Sequence, residues 1–286
     1  MSAASTIDPR GGVAVVTGAA SGIGAALALQ LAARGCHLAL ADVDGERLAE
    51  VADQARAQGV AVSATRVDLA QPDAAAQLLA DVQAAHGRAS ILVNNAGVAV
   101  GGRFQQVEEA DFDWLMSVNF GAVVRLTRAF LPLLQREQAA QLVNVSSIFG
   151  IIAPPGQTAY CASKFAVRGF SESLRHELET DGSPVRVTVV HPGGVRTRIA
   201  ENARSPKSAT AAELAQAKET WQRVLTLAPE DAAARILRGI CAREPRVLVG
   251  DDARRAALVQ RLFPVRYWAL VARNLMRRSG AAAVKR

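Results

Sequence analysis

Val13-Ala14-Val15-Val16-Thr17-Gly18-Ala19-Ala20-Ser21-Gly22-Ile23-Gly24 is the stretch whose reading decides the fold. Its first four residues are a short apolar run, as in a buried strand. Glycines at 18, 22 and 24 follow at once, and residues 25–34 then read as helix. Strand, glycine-rich turn and helix in that order form a dinucleotide-binding element. Glycine at these positions permits a tight turn and close backbone approach to a pyrophosphate. The helix N-terminus meanwhile offers unpaired N–H groups to the phosphates. A plain strand-to-helix turn has no need of three glycines at this spacing.

Working outward, residues 37–41 read as a second strand with Asp42 at its end. An acidic residue there accepts hydrogen bonds from the adenosine ribose hydroxyls and repels a 2′-phosphate. No Arg or Lys immediately follows Asp42, and Ser21, not a basic residue, precedes Gly22. NAD is therefore expected rather than NADP; the competing reading of Asp42 is a loop-capping aspartate. The alternation continues with helix over 45–58, strand over 60–67 ending at Asp68-Leu69, helix over 72–86 and strand over 91–93 running into Asn94-Asn95-Ala96-Gly97. Asp68 and Asn94 fall at strand ends, where Asp68 would meet the adenine amino group and Asn94 would border the cofactor. One long helix is expected over 108–135. Strands follow at 141–145, 185–190 and 246–249, with helices from 160 to about 179 and over 229–242. This order indicates an α/β fold, a doubly wound parallel sheet of about seven strands flanked by helices. Residues 200–226 look irregular, an excursion of the kind that covers a site. Two helices broken at Pro264, 253–262 and 265–278, form a C-terminal extension. No internal repeat or linker appears, so residues 1–286 are expected to form one domain with its core over 11–250.

Composition agrees. Half of the 286 residues are hydrophobic, enough for a sizeable core, and 21% are charged, which argues against disorder. Cys36, Cys161 and Cys241 are isolated, with neither metal nor disulfide spacing, and suit a reducing compartment. No signal peptide and no membrane-spanning run is evident, so a cytoplasmic location is expected. The net charge of +7 is uneven: residues 253–286 hold Arg or Lys at 254, 255, 261, 266, 273, 277, 278, 285 and 286 and no acidic residue. A basic tail of this kind suits anionic lipid, nucleic acid or an acidic partner surface, or is a solvated helical face. The solvated face is the plainer reading; peripheral membrane contact and docking on a second subunit or over the active site are the alternatives, and nucleic acid is not expected as a partner.

Tyr160 and Lys164 lie four residues apart and so share a helix face. A nearby ammonium favours the phenolate of a tyrosine, whose free pKa of about 10 is too high for a base at neutral pH. Asn119 sits among apolar neighbours, as a satisfied core group, a local kink or a water-holding group near the lysine. His191 precedes Pro192 and reads as structural.

The ordered set Thr17-Gly18-Ala19-Ala20-Ser21-Gly22-Ile23-Gly24, Asp68-Leu69, Asn94-Asn95-Ala96-Gly97, Asn119, Ser147, Tyr160-x-x-x-Lys164 and Pro192-Gly193-Gly194-Val195-Arg196-Thr197 resembles the short-chain dehydrogenase/reductase family from Val13 to about Val249. The resemblance implies a Rossmann-type fold and a catalytic set of Asn119, Ser147, Tyr160 and Lys164. Tyr160 would be the general acid/base and Ser147 would hydrogen-bond the substrate oxygen, the family spacing favouring it over Ser146. Lys164 would lower the tyrosine's pKa and bind the nicotinamide ribose. Asn119 would anchor a water linking Lys164 to solvent. Thr197 would hold the carboxamide, with Val195, Pro192 and Gly193 beside it. Gly18, Ser21, Gly22, Ile23, Gly24, Asp42, Asp68, Leu69, Asn95, Ala96 and Gly97 would line the rest of the dinucleotide. No metal is implied, and homodimers or homotetramers are common in the family.

For substrate, the apolar loop 148–157, the segment 98–104 and the excursion after Thr197 suggest a small hydrophobic secondary alcohol or ketone. The equal alternative is that Phe149, Ile151 and Ile152 pack under a lid. The alternatives are a membrane-associated reductase of lipid carbonyls such as fatty acyl-CoA or aldehyde, an NADP-dependent ketone reductase, and a non-catalytic dinucleotide sensor.

Overall fold

The structure, a computed structural model, describes residues 6–272. Strand β1 (Val13–Thr17) is buried along its whole length. A run without polar alternation is what a strand covered on both faces requires. It leads through the glycine turn into α1 (Gly22–Ala32). The chain then alternates through β2 (His37–Asp42), α2 (Gly45–Arg56), β3 (Val62–Arg66), α3 (Ala74–His86) and β4 (Ile91–Asn94). Next come α4 (Glu109–Met116), α5 (Ala122–Leu134), β5 (Ala140–Val145), α6 (Thr158–Thr180) and β6 (Val185–Pro192). The described chain closes with α7 (Ala211–Val224), α8 (Pro229–Cys241), β7 (Arg246–Val249) and α9 (Asp251–Leu262).

As the alternation predicts, the seven strands form one sheet, ordered β3-β2-β1-β4-β5-β6-β7, and every pairing is parallel. Helices α1, α2 and α8 cover one face around Leu27, Leu38, Leu40 and Ile236. Helices α3, α5 and α6 cover the other around Leu78, Leu92, Leu126 and Phe130. Successive residues of β2 divide between the two layers, because side chains alternate across a strand. Truncating a fully buried side chain such as Leu92 to alanine would cost about 2–5 kcal/mol. The strand order reverses at β1, which opens a crevice at the carboxyl ends of β1 and β4.

Two local expectations change. Residues 108–135 are not one helix: a π turn at Ser117–Gly121 separates α4 from α5. Asn119 lies inside it and accepts the Val98 N–H at 2.8 Å while donating to the Val98 carbonyl at 3.0 Å. A buried asparagine with its amide pinned to a neighbouring loop accompanies the wider turn. The excursion 200–226 is not irregular throughout, since it contains α7. Thr210 Oγ1 accepts the Glu213 N–H at 3.2 Å and Glu213 Oε2 accepts the Thr210 N–H at 2.8 Å. That reciprocal cap starts a run of good helix formers. In the extension, α9 ends before Pro264 as expected and residues 267–272 are helical again; the rest of the expected helix, residues 273–278, lies outside the described residues. Among the described residues no helix is long and apolar enough to cross a membrane.

Candidate active site

The glycine turn is bolted to the end of β4 through Thr17. Its hydroxyl donates to the Val93 carbonyl at 3.2 Å and accepts the N–H groups of Asn95 and Ala96 at 3.0 and 3.1 Å. The Asn95 side chain donates to the carbonyls of Thr17 and Gly18 at 2.9 and 3.2 Å. Packing here leaves no room for side chains. A Cβ on Gly24 would lie 2.1 Å from the Gly18 carbonyl oxygen, and one on Gly18 would lie 2.8 Å from Ala96 Cα. Gly18 and Gly22 also have φ of 65° and 55°, the left-handed region glycine tolerates. A Cβ on Gly22 would meet the Thr197 methyl at 2.9 Å, so the loop after β6 closes over the turn. Ser21 and buried Ile23 flank Gly22, and the Ser21 side chain makes no capping bond to α1. The helix N-terminus thereby keeps N–H groups for an anion, and the cradle fits a dinucleotide pyrophosphate.

Asp42 is half-buried beside this turn and does cap backbone. It accepts the Ala20 N–H at 2.9 Å and the Asp44 N–H at 3.0 Å. Each carboxylate oxygen retains a lone pair for a ribose hydroxyl. Asp68 is exposed and accepts the Ala70 N–H at 2.9 Å and Gln71 Nε2 at 3.3 Å. The neighbouring Leu69 is buried, and its carbonyl accepts Arg125 Nη2 at 2.7 Å. The Asn94 side chain turns into the core. It is 2% exposed and donates to Asn144 Oδ1 at 2.8 Å, which continues through Ser171 as a polar ladder across the core.

The four expected catalytic residues converge at the carboxyl end of β5. Gly97 packs against two of them: a Cβ there would lie 3.3 Å from Lys164 Nζ and 3.4 Å from Asn119 Oδ1. Lys164 is 2% exposed, donates to the Val145 carbonyl at 3.1 Å and sits 5.6 Å from the centre of the Tyr160 ring. Asn119 donates to Ser163 Oγ at 3.1 Å, an α6 contact that its sequence position did not disclose. Ser146 and Ser147 separate cleanly. Ser146 Oγ donates to the Lys164 carbonyl at 2.8 Å and braces α6 from below. The Ser147 hydroxyl instead accepts the Phe149 N–H at 3.1 Å and lies on the Tyr160 side, where it favours the phenolate.

The electrostatics depart from expectation. Burial pushes the Tyr160 phenol up to about 12, and the neighbouring Ser147 hydroxyl only partly offsets it. Burial also lowers Lys164 to about 8. The lysine does not by itself make a phenolate near neutral pH, because the same low-dielectric surroundings that disfavour the phenolate disfavour the ammonium. The chain's own groups leave Tyr160 protonated. His191 is fully buried, and burial lowers it to about 4, with Arg246 and Arg168 also lowering it, and the Ser147 carbonyl and Glu172 opposing. Its Nδ1 lies 2.9 Å from the Ser147 carbonyl oxygen, an acceptor, so Nδ1 carries the proton. His191 is neutral and orients the residue after β5.

Apolar walls surround Tyr160. The Phe149 ring meets it edge-on at 6.1 Å and meets Trp221 of α7 at 6.4 Å. Arg204 lies over the Trp114 ring at 3.5 Å, pairs with Asp111 at 2.8 Å and bridges to Val100, which ties the excursion to the opposite wall. The loop after Ser147 packs through Ile148, Ile151 and Ile152 against Ala253 of α9. Tyr267 adds a bond there, its hydroxyl accepting the Ala153 N–H at 2.9 Å. Thr17, Ser163, Trp221 and Tyr267 were missed from the sequence. Only Thr17 and Ser163 carried a signal, by adjoining the motifs.

Comparison with known proteins gives the family. The family model for short chain dehydrogenases matches residues 12–208. The SadH protein of Mycobacterium tuberculosis is 42% identical over 264 residues, covering 92% of this chain and 95% of its own. The 1-deoxy-11-beta-hydroxypentalenate dehydrogenase of Streptomyces avermitilis is 39% identical over 201 residues, 69% of this chain and 73% of its own. Among solved structures, a short chain dehydrogenase/reductase from Burkholderia phymatum in complex with NAD superposes with a TM-score of 0.80 at 30% identity, over 98% of this chain and 99% of that one. A metagenomic short-chain oxidoreductase in complex with NADP gives 0.68 at 32% identity, over 85% and 98%. With the glycine cradle, the switch-point crevice and the Ser147–Tyr160–Lys164 cluster in place, the chain belongs to the short-chain dehydrogenase/reductase family of oxidoreductases.

Proposed function

We propose that the protein transfers hydride between NAD(H) and a hydrophobic secondary alcohol or ketone, with Tyr160 as general acid/base. The observation that carries this reading is the clustering of Tyr160 with Lys164 inside an apolar wall, with Lys164 packed on Gly97 beside the glycine turn. Ser147 Oγ would donate to the substrate oxygen while Tyr160 exchanges the proton on it. A bound nicotinamide supplies the hydride chemistry and, when oxidised, a positive charge. Because the phenol stays protonated in this chain, Tyr160 is ready to protonate the developing alkoxide of a ketone. For alcohol oxidation the phenolate must first be favoured by added positive charge. Lys164 and Asn119, joined at Gly97, would hold the nicotinamide ribose and a water path to solvent. Thr197, with Val195, Pro192 and Gly193, would face the carboxamide. Asp42 supports NAD over NADP, since its charge beside the turn would repel a 2′-phosphate.

The test is a screen of secondary alcohols and their ketones with NAD(H) and NADP(H), followed by nicotinamide absorbance, for the wild type and Tyr160→Phe. Loss of a proton-transfer group should reduce turnover by at least about 100-fold while NADH titration stays near wild type. Substantial turnover by Tyr160→Phe would defeat the assignment, and a preference for NADP would defeat the reading of Asp42.

A second reading concerns location. Leu258, Leu262, Phe263 and Val265 are exposed on the extension, at 56%, 62%, 48% and 89%, among Arg254, Arg255, Arg261 and Arg266. This suits peripheral contact with an anionic bilayer, and with it a lipid carbonyl substrate. The full chain should pellet with phosphatidylserine vesicles, and Leu258→Glu with Leu262→Glu should remain in solution. Equal, negligible pelleting of both would end the membrane reading.

A further inference from the structure

We infer that Asp252, in the first turn of α9, is a positioning residue for the loop that carries Thr197, so that the C-terminal extension helps to build the nucleotide site. The purpose of this device rests on the dinucleotide reading above; its geometry does not.

Asp252 Oδ2 accepts the Gly194 N–H at 2.7 Å, a short charge-assisted bond between residues 58 apart in sequence. The carboxylate also occupies the space above the neighbouring residue: a Cβ on Gly193 would lie 2.3 Å from each of its oxygens. Gly250, at φ 93°, makes the turn that brings Asp252 back over the loop, and a Cβ there would lie 2.4 Å from Asp252 Oδ1. On its other side Gly194 is closed in by the end of α7, where a Cβ would lie 1.9 Å from the Val224 carbonyl oxygen. The Gly194 carbonyl accepts the N–H groups of Thr226 and Leu227, each at 3.0 Å. One residue is thus held at its N–H by α9 and at its C=O by the chain leaving α7. This accounts for two consecutive glycines after Pro192: the carboxylate and the Val224 carbonyl take the volumes of their side chains.

The strain of any shift at Gly194 passes directly to the cofactor side. Val195 is bridged to Leu227 and the Arg196 N–H donates to the Leu227 carbonyl at 2.9 Å. The next residue, Thr197, closes on Gly22. The same extension touches the substrate loop at a separate point, Tyr267 on Ala153. That contact serves as an internal control.

The experiment compares full-length wild type, Asp252→Ala, Asp252→Asn and Tyr267→Phe by backbone hydrogen exchange over residues 193–197 without nucleotide, and by fluorescence titration with NADH. Asp252→Ala should speed exchange at Gly194 at least tenfold and weaken NADH binding about tenfold. Asp252→Asn, whose amide oxygen still accepts the bond, should restore most of both. Tyr267→Phe should change neither. Asp252→Leu, similar in shape but with no acceptor, replaces the alanine variant if that does not fold. Wild-type exchange at Gly194 in Asp252→Ala or Asp252→Leu would overturn the inference. So would failure of both to fold while Asp252→Asn folds, since Asp252 would then hold the fold and not the loop. If the wild type binds no NADH, the proposed function fails while exchange at Gly194 still decides the role of Asp252.

Discussion

Around Thr17 the polar groups find partners within two adjoining segments, β1 with its turn and residues 93–96. Around Phe149 the contacts are ring edges and apolar faces from segments far apart in sequence: Tyr160 in α6, Trp221 in α7 and the α9 side of the loop. The first region is specified by backbone geometry, with glycine Cβ positions 2.1 and 2.8 Å from neighbouring backbone atoms. The second is specified by side chains on a surface, and α7 itself has no buried residue. A dinucleotide presents the same phosphates to every protein that binds it, so its cradle has little freedom. A substrate wall built from exposed helices can change its side chains without disturbing the sheet.

The most severe way to break this contrast is Gly24→Ala. The new methyl meets a carbonyl at 2.1 Å, so we expect loss of NADH binding by about 100-fold or more, or loss of the folded protein. Gly169→Ala in α6, where nothing lies within 4 Å, should be neutral or stabilise by about 0.5–1 kcal/mol. NADH titration and thermal melts of the pair check this, and normal binding by Gly24→Ala would show that the turn yields more than its geometry allows. Phe149→Ala tests the wall. It should raise KM for a hydrophobic substrate by roughly tenfold, about the worth of one or two methylenes' burial, with NADH affinity unchanged. A weakened NADH affinity in that variant would mean that the two regions are not separate.

A third test lies between them, at His191. Its folded pKa of about 4 is below the ordinary 6.5. Between those values the unfolded chain binds a proton that the folded chain refuses, so this residue's contribution to stability falls as pH drops from about 6.5 to about 4. The thermal midpoint of the wild type should fall across that window more steeply than that of His191→Asn, whose amide can still donate to the Ser147 carbonyl. Parallel curves would remove His191 as the acid-sensitive group.

Much of this was legible in advance where the information is local. The strand–glycine–helix pattern, the alternation of elements and the Tyr160–Lys164 spacing all lie within short windows. The direction of the Asn94 side chain was hidden because strand-end position does not say which way a side chain turns, and here it turns into a core ladder with Asn144 and Ser171. The π turn at Asn119 was not visible because its partner, the Val98 backbone, belongs to another segment. Helix α7 was overlooked although its Thr210–Glu213 cap was present in the sequence.

The sequence by itself determined the glycine turn and the parallel sheet, and it singled out the residues of the proposed site. These follow from backbone sterics and hydrophobic period, which act between near neighbours. Only the tertiary structure decided how far burial raises the phenol, and that Asp252 and Tyr267 reach back to the loops beside the site. Those outcomes depend on distances between segments 58 to 114 residues apart and on the low dielectric they jointly enclose, and neither exists until the chain has folded.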